Sequence, residues 1–221
     1  VHQKRHKPLI PALYTASTPP DTPLPGWQTR VMSSPYDSPQ PTLHAVTDRG
    51  EKITLRVPES ADADGLVAAC TDPETLRWTT IAPDYDHDRA VGFITEYAPG
   101  WWQRRQGGCW VLAGPDGAYA GQIDLRVTAD PQVADIGFLT APPARGRGYM
   151  TAALRLVARY AIEELGLARV EWKAHVGNDA SRRVAEKAGF TFEGVLRDGC
   201  AAHGRRFDAW IASYLPRDLV S

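Results

Sequence analysis

The sequence predicts an α+β domain built on one mixed sheet with flanking helices, and three observations carry that prediction. From residue 51 onward, alternating segments and helical-period segments follow the order β-α-α-β-β-β-α-β-α-β-β, without strict alternation. Residues 147–165 hold a strong apolar stripe at helical spacing. Two strand-like runs flank Gly114-Pro115-Asp116-Gly117, which has the residues of a hairpin turn.

Residues 1–50 hold nine of the 18 prolines, and no helical period survives that spacing. They read as an extended arm or linker, with a short strand near Trp27 to Met32 and with Trp27 and Tyr36 as rings that pin it to the main domain. Residues 51–221 read as the domain proper. Lys52 to Pro58 alternates as a strand, and Ser60 to Ala69 reads as a short helix with Ser60 as its N-cap. Asp72 to Ala82 mixes helix and turn signals around Trp78, and Asp86 to Arg105 has apolar residues at helical spacing. The hairpin joins Cys109–Ala113 to Ala118–Val127, and the strand Val133–Thr140 follows, ending at Pro142-Pro143. In the main helix Leu154, Val157, Ala158, Ala161, Ile162 and Leu165 form the stripe, and Gly166 supplies the left-handed stop. Arg169–Val176 is a strand, a helix runs from about Asp179 to Lys187, and Phe190–Leu196 with Arg206–Tyr214 form a last antiparallel pair.

With 43% hydrophobic residues the chain has material for a real core. A net charge of −1 argues against a generic nucleic-acid binder, which carries a basic excess. No apolar run approaches the length of a spanning helix, and the opening Val-His-Gln-Lys-Arg-His-Lys does not read as a leader. Neither nucleic acid nor membrane is therefore expected as a partner. Cys70, Cys109 and Cys200 are too far apart for a zinc pattern and too few for a disulfide set, so free thiols in a reducing cytoplasm are expected, with no metal.

Two segments carry chemistry. In the first, a strand feeds Arg145-Gly146-Arg147-Gly148-Tyr149-Met150-Thr151 at the start of the main helix. The first amides of a helix lack partners and its dipole end is positive, so such a turn suits an anion, although glycines that merely permit close packing would look the same. No Gly-Lys-Ser/Thr follows, and position 151 is Thr, so this is neither a Walker loop nor a dinucleotide fingerprint. In the second, Asn178 and Ser181 open the later helix, where ordinary capping is the simplest role for either.

Taken together, these segments resemble the GNAT acetyltransferase superfamily and, within it, the Rim-type (ribosomal-protein-alanine N-acetyltransferase-like) family. The matching residues are Asp135-Ile-Gly-Phe-Leu139, Arg145-Gly-Arg-Gly-Tyr149, Asn178-x-x-Ser181, Glu186-Lys-Ala-Gly-Phe190, Glu193-Gly-Val-Leu-Arg197 and Gly204-Arg-Arg-Phe-Asp208. The resemblance spans about residues 52–218.

It implies a mostly antiparallel mixed sheet whose two central parallel strands splay apart, with acetyl-CoA or another acyl-CoA as cosubstrate in the opening. The backbone of Phe138, Leu139 and Thr140 would bind the pantetheine arm. The pyrophosphate would lie on Arg145, Gly146, Arg147, Gly148, Tyr149, Met150 and Thr151, and Asn178 would contact the amide arm. Ser181 would lie near the thioester sulfur as proton donor or, given how weak an acid serine is, as a hydrogen-bonding stabiliser.

The sequence departs from the family pattern at Pro143, where Gln or Arg is frequent, and at Ala185, where many relatives place a tyrosine acid. Asp135 is a charge inside an apolar strand beside the cleft, and catalysis and a structural salt bridge are both open for it. His175 is a second candidate base, with a structural role as its alternative, and for His203, in the terminal hairpin loop, facing the acceptor and plain exposure are both open. Trp78, Tyr85, Trp101 and Trp102 are candidate pocket walls, with packing as the alternative use of each. Asp84, Asp86, Asp88 and Glu96 would make that side acidic, with an ordinary solvated charge run as the alternative. The implied partners are a CoA thioester and an amine acceptor. A protein N-terminal α-amine, a small amine such as an antibiotic or polyamine, and a non-catalytic acyl-CoA-binding role all fit, and the resemblance leaves a homodimer open.

Overall fold

The structure is a computed structural model that describes residues 34–220. Eight strands form one sheet: β1 (Leu43–Val46), β2 (Lys52–Arg56), β3 (Gly107–Ala113), β4 (Tyr119–Val127), β5 (Val133–Thr140), β6 (Arg169–His175), β7 (Thr191–Ala202) and β8 (Arg205–Tyr214). Their order is β1-β2-β3-β4-β5-β6-β8-β7. Every neighbouring pair is antiparallel except β5 and β6. This is the expected α+β architecture, a mostly antiparallel mixed sheet with a parallel pair at its centre.

The helices are α1 (Ala63–Cys70), α2 (Pro73–Trp78), α3 (His87–Gly92), α4 (Ala98–Gln103), α5 (Tyr149–Glu163) and α6 (Asp179–Lys187), with a π-helical turn at Phe93–Tyr97 joining α3 to α4. α5 lays its predicted stripe on the sheet, where Leu154, Val157, Ala158 and Ala161 are fully buried against Ile123, Leu125, Ile136 and Trp172. Each large apolar side chain buried in this way contributes roughly 1.5–3 kcal/mol. A second, smaller cluster joins Leu66, Cys70, Ala90 and Ile94 to Leu139 and Ala141, so α1 and α3 cover the opposite face of β5.

Two expectations are corrected. Residues 34–50, predicted as part of the arm, belong to the folded unit. β1 pairs with β2 from Leu43↔Leu55 to Val46↔Lys52, Tyr36 packs 4.6 Å from Trp102 between ring centroids, and the indoles of Trp102 and Trp110 donate to the carbonyls of Ser38 and Pro41. Proline is tolerated because Pro35, Pro39 and Pro41 lie outside the short strand, which itself sits at the sheet's edge. The strand and the ring pin expected at residues 27–32 lie outside the described residues. Ser60 does not cap α1. It opens a 3-10 turn, Ser60–Asp62, and Asp62 precedes the helix, with its buried carboxylate held by Arg56 at 2.7 Å and by the Glu59 amide at 2.8 Å.

The thiols are free as expected, with Cys70 and Cys109 buried and Cys200 half-buried. No helix among the described residues is long and apolar enough to cross a membrane.

Candidate active site

β5 and β6 pair through four registers, from Val133↔Arg169 to Ile136↔Trp172, and then part. Beyond that point Gly137–Thr140 keep only β4 as a partner, and Lys173–His175 keep only β8. The backbone of Phe138, Leu139 and Thr140 therefore borders a wedge whose vertex is at Gly137. Phe138 packs toward the α5 side and Leu139 toward α1 and α3.

At the mouth of the wedge the chain turns through Pro142–Ala144 into α5. Gly146 and Gly148 have φ of +74° and +83°. A Cβ added at Gly146 would meet nothing within 4 Å, and one at Gly148 only Thr47 at 3.9 Å. Close packing is thus not why glycine stands there. The left-handed backbone is, and it turns successive amides toward one side, as anion-binding turns do. The first hydrogen bond across the helix start runs from the Ala152 amide to Gly148, so the amides before it precede the helical ladder. Arg145 through Gly148 are exposed, while Tyr149, Met150 and Thr151 are buried beneath them.

The two arginines already have partners. Arg145 is bound to Asp72, whose carboxylate also caps α2 through the Thr75 amide at 3.0 Å. Arg147 donates to Glu51 at 2.6 Å and lies over the Tyr149 ring, whose hydroxyl donates to the same carboxylate at 3.0 Å. The arginine beside each carboxylate holds Asp72 and Glu51 below the ordinary range.

Across the wedge, Asn178 does what its residue type favours: its side-chain oxygen accepts the Ser181 amide at 3.2 Å and caps α6. The Ser181 hydroxyl oxygen accepts the Trp172 indole at 3.2 Å, which leaves the hydroxyl's own proton to donate. Ala185 is buried in the core, so no acid stands at that position.

Asp135 is ion-paired to Arg126, with Lys173 at 3.9 Å. A second carboxylate, which the sequence reading missed, shares that guanidinium: Asp124 lies 3.2 Å from Arg126 Nε. Burial pushes the Asp124 carboxyl up to about 6; the Arg126 charge opposes the rise and the Asp135 charge adds to it. No sequence motif marks it, because Asp124 looks like any half-exposed polar residue on an alternating strand. The only available signal was the acidic residue facing Gly137 once the hairpin is paired with β5.

His175 is buried and stacked on Phe207, and burial, with His203 nearby, lowers its pKa. His203 reaches Leu76 of α2, with its Nε2 3.3 Å from the carbonyl, and Trp78 approaches Gly177. α2 thus spans from Arg145 at the helix turn to the β7–β8 hairpin, across the outlet of the wedge. Of the rings predicted as pocket walls, Trp102 is core, 5% exposed and edge-on to Trp110, while Tyr85 packs on the α1–α3 cluster. Asp84 pairs with Arg89 and Asp86 caps α3, so half of the predicted acidic run serves local structure. Among the described residues no group of three His, Cys, Asp or Glu side chains is placed to hold a metal ion.

This geometry has known counterparts. The model of the Acetyltransferase (GNAT) domain matches residues 52–191. The Bacillus subtilis protein named "Putative ribosomal N-acetyltransferase YdaF" is 34% identical over 76% of this chain and 93% of its own length. Among solved structures, Mycobacterium smegmatis RimJ shares the fold with a TM-score of 0.71 at 21% identity, over 83% of this chain and 90% of that one. Spermidine N-acetyltransferase from Vibrio cholerae shares it with a TM-score of 0.64 at 18% identity, over 76% of this chain and 98% of that one. A family match over most of the domain, a relative aligned nearly end to end, and a sheet that splays beside a glycine-built helix start lead to one assignment: the chain belongs to the GNAT acetyltransferase family.

Proposed function

We propose that this protein is an acetyl-CoA-dependent N-acetyltransferase of the Rim type, acting on a protein N-terminal α-amine in the reducing cytoplasm. The observation that carries the reading is the open left-handed turn Gly146–Gly148 set at the mouth of the β5–β6 wedge. Acetyl-CoA supplies the thioester. The amides from Gly146 to Thr151 hold its pyrophosphate, with Arg145 and Arg147 adding charge once released from Asp72 and Glu51. The backbone of Phe138, Leu139 and Thr140, freed from β6, receives the pantetheine amides, and the Asn178 side-chain N–H₂, left over from capping, serves as a donor to the same arm. Ser181 donates its hydroxyl proton toward sulfur as negative charge develops there, an interaction stronger with the thiolate than with the thioester.

A protein acceptor is supported by YdaF being named a putative ribosomal N-acetyltransferase, and the cytoplasm by three free thiols. The test is thiol release from acetyl-CoA by the purified chain, offered short peptides with free N-terminal alanine or serine alongside spermidine. Peptide turnover at least tenfold above spermidine is expected. Preference for spermidine would overturn the acceptor, and cofactor binding without turnover of either would overturn the enzymatic reading.

A further inference from the structure

We propose that Asp124, rather than Asp135, accepts the proton of the incoming ammonium, with Gln122 holding that ammonium beside it. The proposal rests on reading the β5–β6 wedge as the site of acyl transfer. Its geometry starts from register. Asp124 stands opposite Gly137, the first β5 residue beyond the last β5–β6 pair, and Gln122 stands opposite Leu139, two residues further into the opening. Both lie on one face of β4, because side chains two apart on a strand share a face. Gly137 leaves room there: a Cβ on it would meet Arg126 at 2.8 Å and the Asp124 carboxylate at 3.4 Å. The carboxylate therefore leans over the vertex of the wedge, and its side chain stays 24% exposed.

A second observation points to a ligand. The side-chain oxygen of Gln122 is buried and has no hydrogen-bond donor among the described residues. An orphaned buried acceptor costs about 1–3 kcal/mol, so a donor is missing from this face. An ammonium brings three donors, and Gln122 and Asp124 offer it an uncharged and a charged acceptor side by side.

The neighbours divide the roles. Asp135 on β5 is bound to Arg126 and lies 3.9 Å from Lys173 of β6, which is itself 2.7 Å from Glu171. Arg126 on β4 bridges Asp135 and Asp124, with Tyr97 of the π-helical turn as a further neighbour. Cys109 of β3 is the register partner of Asp124, and Cys200 of β7 lies near Asp135 and Lys173. Asp135 has two cations beside it, and its ion pair fixes Arg126. Asp124 has only a share of one, and burial has moved its proton affinity toward neutral pH, where a base works best.

The step balances. The ammonium passes one proton to the Asp124 carboxylate and becomes a neutral amine. Its lone pair forms the C–N bond to the thioester carbonyl carbon as the C–S bond breaks with its electron pair on sulfur. The second amine proton is lost as the amide forms and ends on the thiolate, and Asp124 returns its proton to solvent.

The experiment compares Asp124→Asn, Asp135→Asn and Gln122→Met, each first shown to melt as a folded protein and to bind CoA by calorimetry. Thiol release is followed from pH 5 to 9 with the alanine peptide and spermidine as acceptors. In the wild type, kcat/KM should fall on the acid side with a midpoint near 6. Asp124→Asn should lose about a hundredfold or more and with it the acid limb. Asp135→Asn should keep the limb, moved to lower pH by the lost repulsion. Gln122→Met should raise the acceptor KM with little change in kcat. Wild-type activity in Asp124→Asn, or loss of the limb only in Asp135→Asn, would overturn the proposal. If neither acceptor turns over, carboxyl carbon NMR decides. A midpoint near 6 that vanishes in Asp124→Asn supports the proposal, and a midpoint in the ordinary aspartate range overturns it. Failure to bind CoA would sink the wedge as cofactor site, and that result is read separately from the carboxyl titration.

Discussion

The two ends of the β5–β6 wedge are built from different materials. The cofactor end is backbone: Gly146 and Gly148 with positive φ, and the Gly137–Thr140 stretch that has lost β6 as a partner. Apart from Asn178, it comes from one continuous segment. The acceptor end is side chains: Gln122, Asp124 and Arg126 from β4, Asp135 from β5 and Lys173 from β6. A backbone-built site should be insensitive to loss of side chains and intolerant of a changed φ. A side-chain-built site should behave the other way round.

The largest expected effect tests the first half of that contrast. Valine at Gly148 would have to adopt φ +83°, which costs an L-residue roughly 1–2 kcal/mol and a β-branched one more. The turn should relax and swing its amides away. Calorimetry with CoA is expected to show Kd raised on the order of a hundredfold, while Arg145→Ala raises it no more than about fivefold, the worth of an exposed ion pair. An Arg145→Ala loss exceeding that of Gly148→Val would break the contrast. Next in size is Ser181→Ala, which removes one hydroxyl donor and leaves the α6 cap to Asn178. Turnover should fall about ten- to a hundredfold, the range for a lost hydrogen bond to a charged group, with CoA affinity unchanged.

The same difference in material explains what could be read in the sequence. Glycines that must have positive φ sit a fixed distance from the strand before them and the cap after them, so Arg145–Thr151 and Asn178–Ser181 were legible as spaced motifs. Much of the sheet was legible because β2, β4, β5 and β6 largely alternate, and the parallel pair was implied by the family resemblance. Asp124 and Gln122 were not legible. Their meaning comes from lying opposite Gly137 and Leu139, a register that the alternation of β4 does not announce. β1 was missed for another reason. Its four residues sit between a proline-rich stretch and a turn, and the segment leading into them is held at Ser38 and Pro41 by indole-to-carbonyl bonds from Trp102 and Trp110, more than 60 residues away in the chain.

A smaller effect probes the junction of the two ends. Asp72 occupies the guanidinium of Arg145, which a pyrophosphate would also seek. Asp72→Asn retains an oxygen to cap α2 but loses the competing charge. CoA should bind about three- to fivefold tighter, and the gain should shrink as salt is raised. Unchanged affinity would mean that Arg145 stays on Asp72 when CoA binds.

The smallest effect is on stability and separates two carboxylates by sign. Arg169 grips Glu193 at 2.9 Å, Ser213 donates to the same group at 2.7 Å, and these bonds hold its pKa down to about 2. A folded pKa below the unfolded value means that the contribution is complete above the ordinary glutamate range and is lost as pH falls toward 2. Asp124 runs the other way. Its folded pKa of about 6 lies above the unfolded value, so its contribution is greatest in acid and is lost as pH rises through 6. Melting temperatures measured against pH should show both. Wild type should exceed Glu193→Gln at neutral pH, with the gap closing between about pH 4.5 and 2. Asp124→Asn should exceed wild type above pH 6, with that gap closing toward pH 4. The Glu193 difference will be the lesser, because 35% of that side chain faces solvent and water screens its pair with Arg169. If both gaps had the same sign, the acceptor-end carboxylate would be one more stabilising ion pair, and its place in proton transfer would go with it.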